Sequence, residues 1–348
     1  MTTRIVIRRP DDWHLHVRDG EMLKAVLPYT ARHFGRAILM PNLVPPIRTA
    51  QQAAAYRERV KAALPKGSHF TPLMTCYLTD ETDPDDVERG FRDGVFIGVK
   101  LYPANATTNS AAGVTDYRKI DRVLNRMEKI GMPFLMHGEE VGADIDIFDR
   151  EAAFVERRLS KWVTQFPGLH MTMEHLSSKD GADFVKSAAP QVGATITPYH
   201  LSLTRTDWLG AGTKPMMYAM PVIKTANDRA ALRKAATSGA ACYFLGTDSA
   251  PHPFARKVAI SGVPGIFNAP VALATYAKVF EEEGALDKLE AFAALNGPKH
   301  YRLPPNDDTI VLEKSPWTAP VEVKVAGPDE RTLLYRGGET IEWRVVEG

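Results

Sequence analysis

Six side chains in this sequence could bind metal if folding brought them together: His14, His16, Lys100, His137, His175 and Asp248. His14 and His16 stand one residue apart in DDWHLHVRDG at 11–20. Side chains on a β-strand alternate faces, so both imidazoles point one way, and two neutral imidazoles can share one cation. Trp13, Leu15 and Val17 are then expected to pack on the other side. His137 and His175 each follow a short apolar run, as does Asp248 in FLGTDSAPH. Lys100 lies inside such a run, FIGVKL, where an ammonium is costly to bury unless it is paired or neutralised. Three fates are open to Lys100. It could pair with Asp248 or another carboxylate, serve as a low-pKa amine in Schiff-base chemistry, or take up CO2 and become an anion bridging two metal ions. A Schiff-base site has no use for four histidines, whereas a two-metal site has. Taken singly, each residue has a blander account, such as a hydrogen-bonded histidine at a strand end or an aspartate capping a turn. Their joint placement is what argues for chemistry.

That placement follows from the elements. Short apolar runs alternate with longer amphipathic ones from Trp13–Val17 through Ala241–Gly246, giving eight expected strands, each followed by a helical segment. Near-continuous apolar strands belong to a parallel sheet covered on both faces, and eight βα units in a row predict a (β/α)8 TIM barrel. A doubly wound open sheet is the runner-up, weakened because no phosphate-binding glycine fingerprint follows the first strand. In a barrel the ends of the strands form one mouth, and all six residues fall there. Arg18, two residues beyond His16, should face the same mouth, where its planar guanidinium suits a carboxylate. Leu201–Lys224 reads as a long irregular insertion. The tail at 309–348, with TIVLEK, VEVKVAG and TIEWRVV, reads as a short C-terminal strand extension packed on the barrel. The whole chain, 1–348, is expected to be one domain.

Composition narrows the class further. Lys and Arg number 43 against 42 Asp and Glu, so there is no basic surface for nucleic acid. Neither a signal-peptide h-region nor an apolar stretch long enough to span a bilayer is present, so no membrane partner is expected and the protein should be cytoplasmic. Cys76 and Cys242 sit in apolar strands and read as buried free thiols.

The segments DDWHLHVRDG (11–20), MPNLVPP (40–46), GVKLYPANATTNS (98–110), MHGE (136–139), MEHLSS (173–178) and FLGTDSAPH (244–252) resemble the amidohydrolase superfamily, and within it the class II dihydroorotases. The resemblance implies two Zn2+ per subunit. His14, His16 and Asp248 would hold one, His137 and His175 the other, with N6-carboxylated Lys100 and a hydroxide between them. It places the substrate carboxylate on Arg18, Asn42 and His252, and further substrate contacts on His16, His137, Met220 and Pro264. Proline has no N–H, so a contact at Pro264 would have to use its carbonyl. Thr107 and Thr108 match the family's loop over the substrate. The implied reaction is the reversible interconversion of N-carbamoyl-L-aspartate and L-dihydroorotate, with Asp248 as general base and acid, in an assembly of two identical subunits. The alternatives are a hydantoinase or dihydropyrimidinase, a Schiff-base lyase using Lys100, and a non-catalytic scaffold. The last should have lost ligands, and every expected one is present.

Overall fold

The computed structural model describes residues 3–326 and 330–346. A strand that the sequence reading did not anticipate, β1 (Arg4–Arg8), comes first. The eight barrel strands follow in chain order: β2 (Asp12–Leu15), β3 (Arg36–Leu39), β4 (Thr71–Tyr77), β5 (Phe96–Leu101), β6 (Phe134–Met136), β7 (Met171–Met173), β8 (Val192–Ile196) and β9 (Tyr243–Leu245). Each pairs in parallel with the next. Their residues are almost all buried, because helices cover one face and the barrel interior takes the other. Local chemistry starts the helices where expected: Thr49 caps Ala50–Ala62 in a capping box with Gln52, and Asp83 caps Pro84–Arg92 with Pro84 at its start.

The barrel closes between its first and last strands. Leu15 bridges Ser249, the His16 N–H donates to the Ser249 carbonyl at 3.0 Å, and the Asp248 N–H donates to the His14 carbonyl at 2.8 Å. Buried Asp12 reinforces this seam, accepting from the Thr247 N–H (2.8 Å), the Thr247 hydroxyl (2.5 Å) and the His14 N–H (3.2 Å).

The register of β2 corrects one expectation. Asp12 pairs with Ala37 but Leu15 with Leu39, so one strand advances three residues while its neighbour advances two. Such an irregularity breaks strict alternation. Leu15 and Val17 join the large core, but Trp13 does not. It stacks on Tyr301, with ring centroids 4.6 Å apart, in a smaller cluster with Ile38, Leu135 and Phe244. Residues from β2, β3, β6 and β9 can meet only inside the barrel, so this cluster plugs its interior. The strand also ends at Leu15 rather than Val17.

The tail forms β10 (Thr309–Thr318), β11 (Glu322–Ala326), β12 (Glu330–Leu333) and β13 (Thr340–Val346). β10 lies between β1 and β13 in an antiparallel sheet, and β11 and β12 form a separate pair. Leu334, just after β12, bridges Phe267 of the loop that follows β9. Residues 327–329 and 347–348 of the expected extension lie outside the described residues. The insertion at 201–224 contains a helical turn, Arg205–Leu209.

Asp12→Ala would strand buried donors on both sides of the seam. It should lower unfolding stability by about 2 kcal/mol or more in denaturant titrations, and Asp12→Asn, which keeps an acceptor, by less. Wild-type stability in the alanine variant would remove Asp12 from the closure.

Candidate active site

Four histidine rings run across the barrel mouth. Ring centroids are 5.2 Å apart for His16 and His14, 4.9 Å for His14 and His175, and 4.8 Å for His175 and His137. They come from the ends of β2, β6 and β7. His175 and Asp248 take left-handed backbone, with φ of 45° and 43°, and so does Arg18 at 60°. This conformation is uncommon outside glycine and gathers at functional sites. Arg18 therefore lines the cleft through a turn of the backbone after β2, and not through the strand alternation expected for it.

Asp248 Oδ1 lies 3.3 Å from His14 Nε2 and 3.2 Å from His16 Nε2, and the two nitrogens are 3.2 Å apart. A tetrahedral ion with bonds of about 2.0–2.1 Å keeps its ligands about 3.3–3.4 Å apart, so this triangle has the size of one cation's ligand set. Its protonation also suits a cation. Burial pushes His14 well below the usual histidine range and His16 down to about 4. Burial pushes the Asp248 carboxyl up, but His14, His16 and the Tyr199 hydroxyl, which donates to Oδ2 at 2.5 Å, outweigh it and hold the group ionised.

Carboxylates stand behind two of the rings. His137 Nε2 meets Glu139 Oε2 at 2.6 Å. His14 Nδ1 is 3.1 Å from Glu174 Oε1, though off the line of a good hydrogen bond. A carboxylate on one ring nitrogen fixes the tautomer and leaves the other nitrogen for a metal. Lys100 is fully buried on β5, forms an ion pair with Glu174 and lies 4.9 Å from the Tyr102 ring centroid. It is not part of the cleft wall, yet its charge acts on both His14 and His175. Burial pushes its ammonium well below the usual lysine range.

The cleft, which is narrow, is lined by His14, His16, His137, His175 and Asp248 together with Arg18, Asn42, Thr107, Thr108, Met220 and Pro264. Arg18 Nη2 is 2.9 Å from His252 Nε2, which places His252 behind the wall. The Asn42 amide donates to the Thr108 carbonyl at 3.0 Å, while its Oδ1 has no partner. The Thr108 hydroxyl donates to the Pro264 carbonyl at 3.0 Å, so the loop lies across the opening, and the carbonyl expected to be free is taken by the protein itself.

The amidohydrolase family profile matches residues 7–319. The chain is 53% identical over 346 residues to a dihydroorotase of Novosphingobium aromaticivorans, covering 99% of each sequence. Its fold superposes on a dihydroorotase from Saccharomyces cerevisiae crystallised with 5-fluoroorotic acid, with a TM-score of 0.92 and 32% identity over 99% of each chain. The chain belongs to the amidohydrolase family, among its dihydroorotases. An L-hydantoinase (dihydropyrimidinase) from Arthrobacter aurescens shares the fold, with a TM-score of 0.77, but only 14% identity over 98% of this chain and 87% of that one.

The donors of the His14, His16 and Asp248 triangle fit one metal ion. Twelve buried side-chain polar atoms among the described residues lack a hydrogen-bond partner, and six are here: His14 Nδ1, Asn42 Oδ1, Tyr102 Oη, Glu139 Oε1, Glu174 Oε1 and His175 Nδ1. Orphaned polar atoms are rare in folded proteins, and such a concentration marks a place built for ions or a polar ligand. Sequence reasoning missed Glu139, Glu174, Tyr102 and Tyr199. The two glutamates lie in MHGE and MEHLSS beside the histidines, so a search for carboxylates one or two residues from candidate ligands would have found them. Tyr199 carries no such signal, being 49 residues from Asp248.

Elemental analysis of purified protein should find bound divalent metal, and chelation should lower the unfolding midpoint, since an ion at a hundredfold excess over its Kd stabilises by about 2.7 kcal/mol. His14→Ala should lose at least one equivalent. Full metal content in that variant would exclude the triangle as a metal site.

Proposed function

We propose that this chain catalyses the reversible cyclisation of N-carbamoyl-L-aspartate to L-dihydroorotate in pyrimidine biosynthesis, with two zinc ions per subunit. The observation that carries this reading is the triangle of His14, His16 and Asp248 beside the Arg18–His252 pair, in a chain that matches dihydroorotases from end to end. His14, His16 and Asp248 would hold one ion, and His137 and His175 the other. Lys100 would lie between them as its carbamate. Burial, which pushes the Lys100 ammonium well below the usual lysine range, favours the neutral amine, the form that adds to CO2. When bound, the ions would acidify a water molecule and polarise the ring carbonyl.

The chain's own side chains do the rest. Arg18 and Asn42 grip the substrate carboxylate, and His252, expected to share in this, bears on it through Arg18, which it backs from behind the wall. Arg18 supplies charge and a planar fork, and of the Asn42 amide only Nδ2, which here donates to the Thr108 carbonyl, could donate to a carboxylate. Ionised Asp248 takes a proton from the attacking water and returns it to the ring nitrogen as the carbon–nitrogen bond breaks; ring closure is the reverse. Glu139 and Glu174 hold His137 and His14 in place. Thr107 and Thr108 cover the cleft and exclude water, and Met220 and Pro264 wall the side where the ring would lie. We read residues 1–348 as one domain, and the molecule as a cytoplasmic homodimer. Support for the location is that no described helix is long and apolar enough to cross a membrane. The family resemblance alone supports the dimer.

A cyclic amidase for uncharged rings is the second reading, kept because the hydantoinase fold superposes on this one. Arg18 discriminates. The wild type should turn over L-dihydroorotate at least about a hundredfold better than dihydrouracil by kcat/KM, and Arg18→Met should erase most of that preference, the loss of a charge-assisted contact being worth about 1.5–3 kcal/mol. Equal use of both rings would favour the hydantoinase reading. Asp248→Asn should lower kcat by about a thousandfold or more while retaining most of the metal, since removing the base abolishes proton transfer in both directions. Near-normal turnover would refute that role for Asp248.

A further inference from the structure

One buried cation has no part in the reaction above. Lys257 closes the helical turn Phe254–Lys257 and is 5% exposed. Its Nζ donates to three backbone carbonyls, those of Tyr218 at 2.9 Å, Val263 at 3.1 Å and Gly265 at 2.7 Å. An ammonium has three N–H bonds, and all are used. The acceptors belong to two segments far apart in the chain. Tyr218 lies in the 201–224 insertion, and Val263 and Gly265 lie in the loop after β9. The two segments also meet directly, where the Gly265 N–H donates to the Tyr218 carbonyl at 2.9 Å. The same segments carry Met220 and Pro264, which with Gly265 wall the cleft.

Three carbonyls converging in a buried space repel one another unless a donor joins them, and a cation with three donors meets all of them at once. The charged and titratable groups around Lys257 are Arg18 from the end of β2, His252 from its own loop, Tyr218 with its ring centroid 5.9 Å away, and Tyr335 beyond β12. No carboxylate among the described residues pairs with it, and burial, with Arg18 nearby, pushes its ammonium down to about 7, so the three carbonyls are what favour its protonated form. Gly265, with φ of +143°, brings its backbone so close that a Cβ would meet the Ala250 carbonyl and the His252 ring. The clamp therefore acts where the backbone of the wall packs closely on its neighbours.

We propose that Lys257 is a positioning residue that clamps the insertion to the loop after β9, fixing the ring-facing wall of the cleft. This rests on the cyclic amidase reading for its substrate. A clamp that serves ground state and transition state alike contributes uniform binding, which appears in KM and not in kcat.

The test compares wild type with Lys257→Met on L-dihydroorotate. In the variant KM should rise about tenfold or more, with kcat changed less than about threefold, the signature of lost uniform binding. Metal content should not change, and amide hydrogen exchange should speed up in 216–220 and 262–267 while the barrel strands stay protected. In Lys257→Ala, n-propylammonium should lower KM again, whereas tetramethylammonium, which has no N–H donor, should not. Unchanged KM with unchanged exchange overturns the proposal, as does a fall in kcat at constant KM. If the methionine variant does not fold, Lys257→Gln keeps two donors, and a KM between wild type and the alanine variant is expected; wild-type KM there also overturns the clamp. Failure of the wild type to use L-dihydroorotate would instead sink the cyclisation reading, and hydrogen exchange would still judge the clamp.

Discussion

Closure of the barrel between β2 and the turn after β9 is the constraint on which the site depends. His14 and Asp248 are 234 positions apart, yet the Asp248 N–H bonds directly to the His14 carbonyl. That one backbone contact sets their side chains on a common centre. Asp12 and Thr247 sit on the same seam, so the bonds that complete the sheet also set the spacing of the candidate ligands. A small shift in this register would cost both a buried hydrogen bond and the triangle.

Water exclusion is the second constraint. The mouth gathers neutral imidazoles, ionised Asp248, the buried Lys100–Glu174 pair and several orphaned polar atoms in space that water barely reaches. In low dielectric such groups interact strongly, and an unpaired one is expensive. Metal bound at the triangle would answer both conditions, because it would take lone pairs of the histidines and balance the Asp248 carboxylate. The loop at Thr107 and Thr108 lies across this opening with few contacts of its own, chiefly Asn42 with the Thr108 carbonyl and the Thr108 hydroxyl with Pro264.

The outer elements serve the mouth from behind. The hairpin of β11 and β12 meets the loop after β9 at Phe267 and Leu334, and Arg331 of β12 lies over the Phe254 ring at 4.8 Å. Lys257 joins that loop to the insertion. A C-terminal extension that looks like an appendage thus supports the wall holding Pro264 and the ring of His252.

The order of strands and helices, and the set of residues at the strand ends, were legible in the residues alone. Burial pattern and cap chemistry are local, and a parallel barrel puts its strand ends at one mouth whatever the loops do. Lys100 was conspicuous for the same reason, as a charge in an apolar strand. Tertiary structure alone decided the rest. The irregular register of β2 sent Trp13 into the barrel interior, left-handed backbone aimed Arg18, and β1 found its partner in β10, more than three hundred residues away. Glu174 behind His14, Tyr199 on Asp248 and Lys257 across two loops are likewise contacts between distant segments. No local propensity encodes such meetings, because they exist only once the chain has closed on itself.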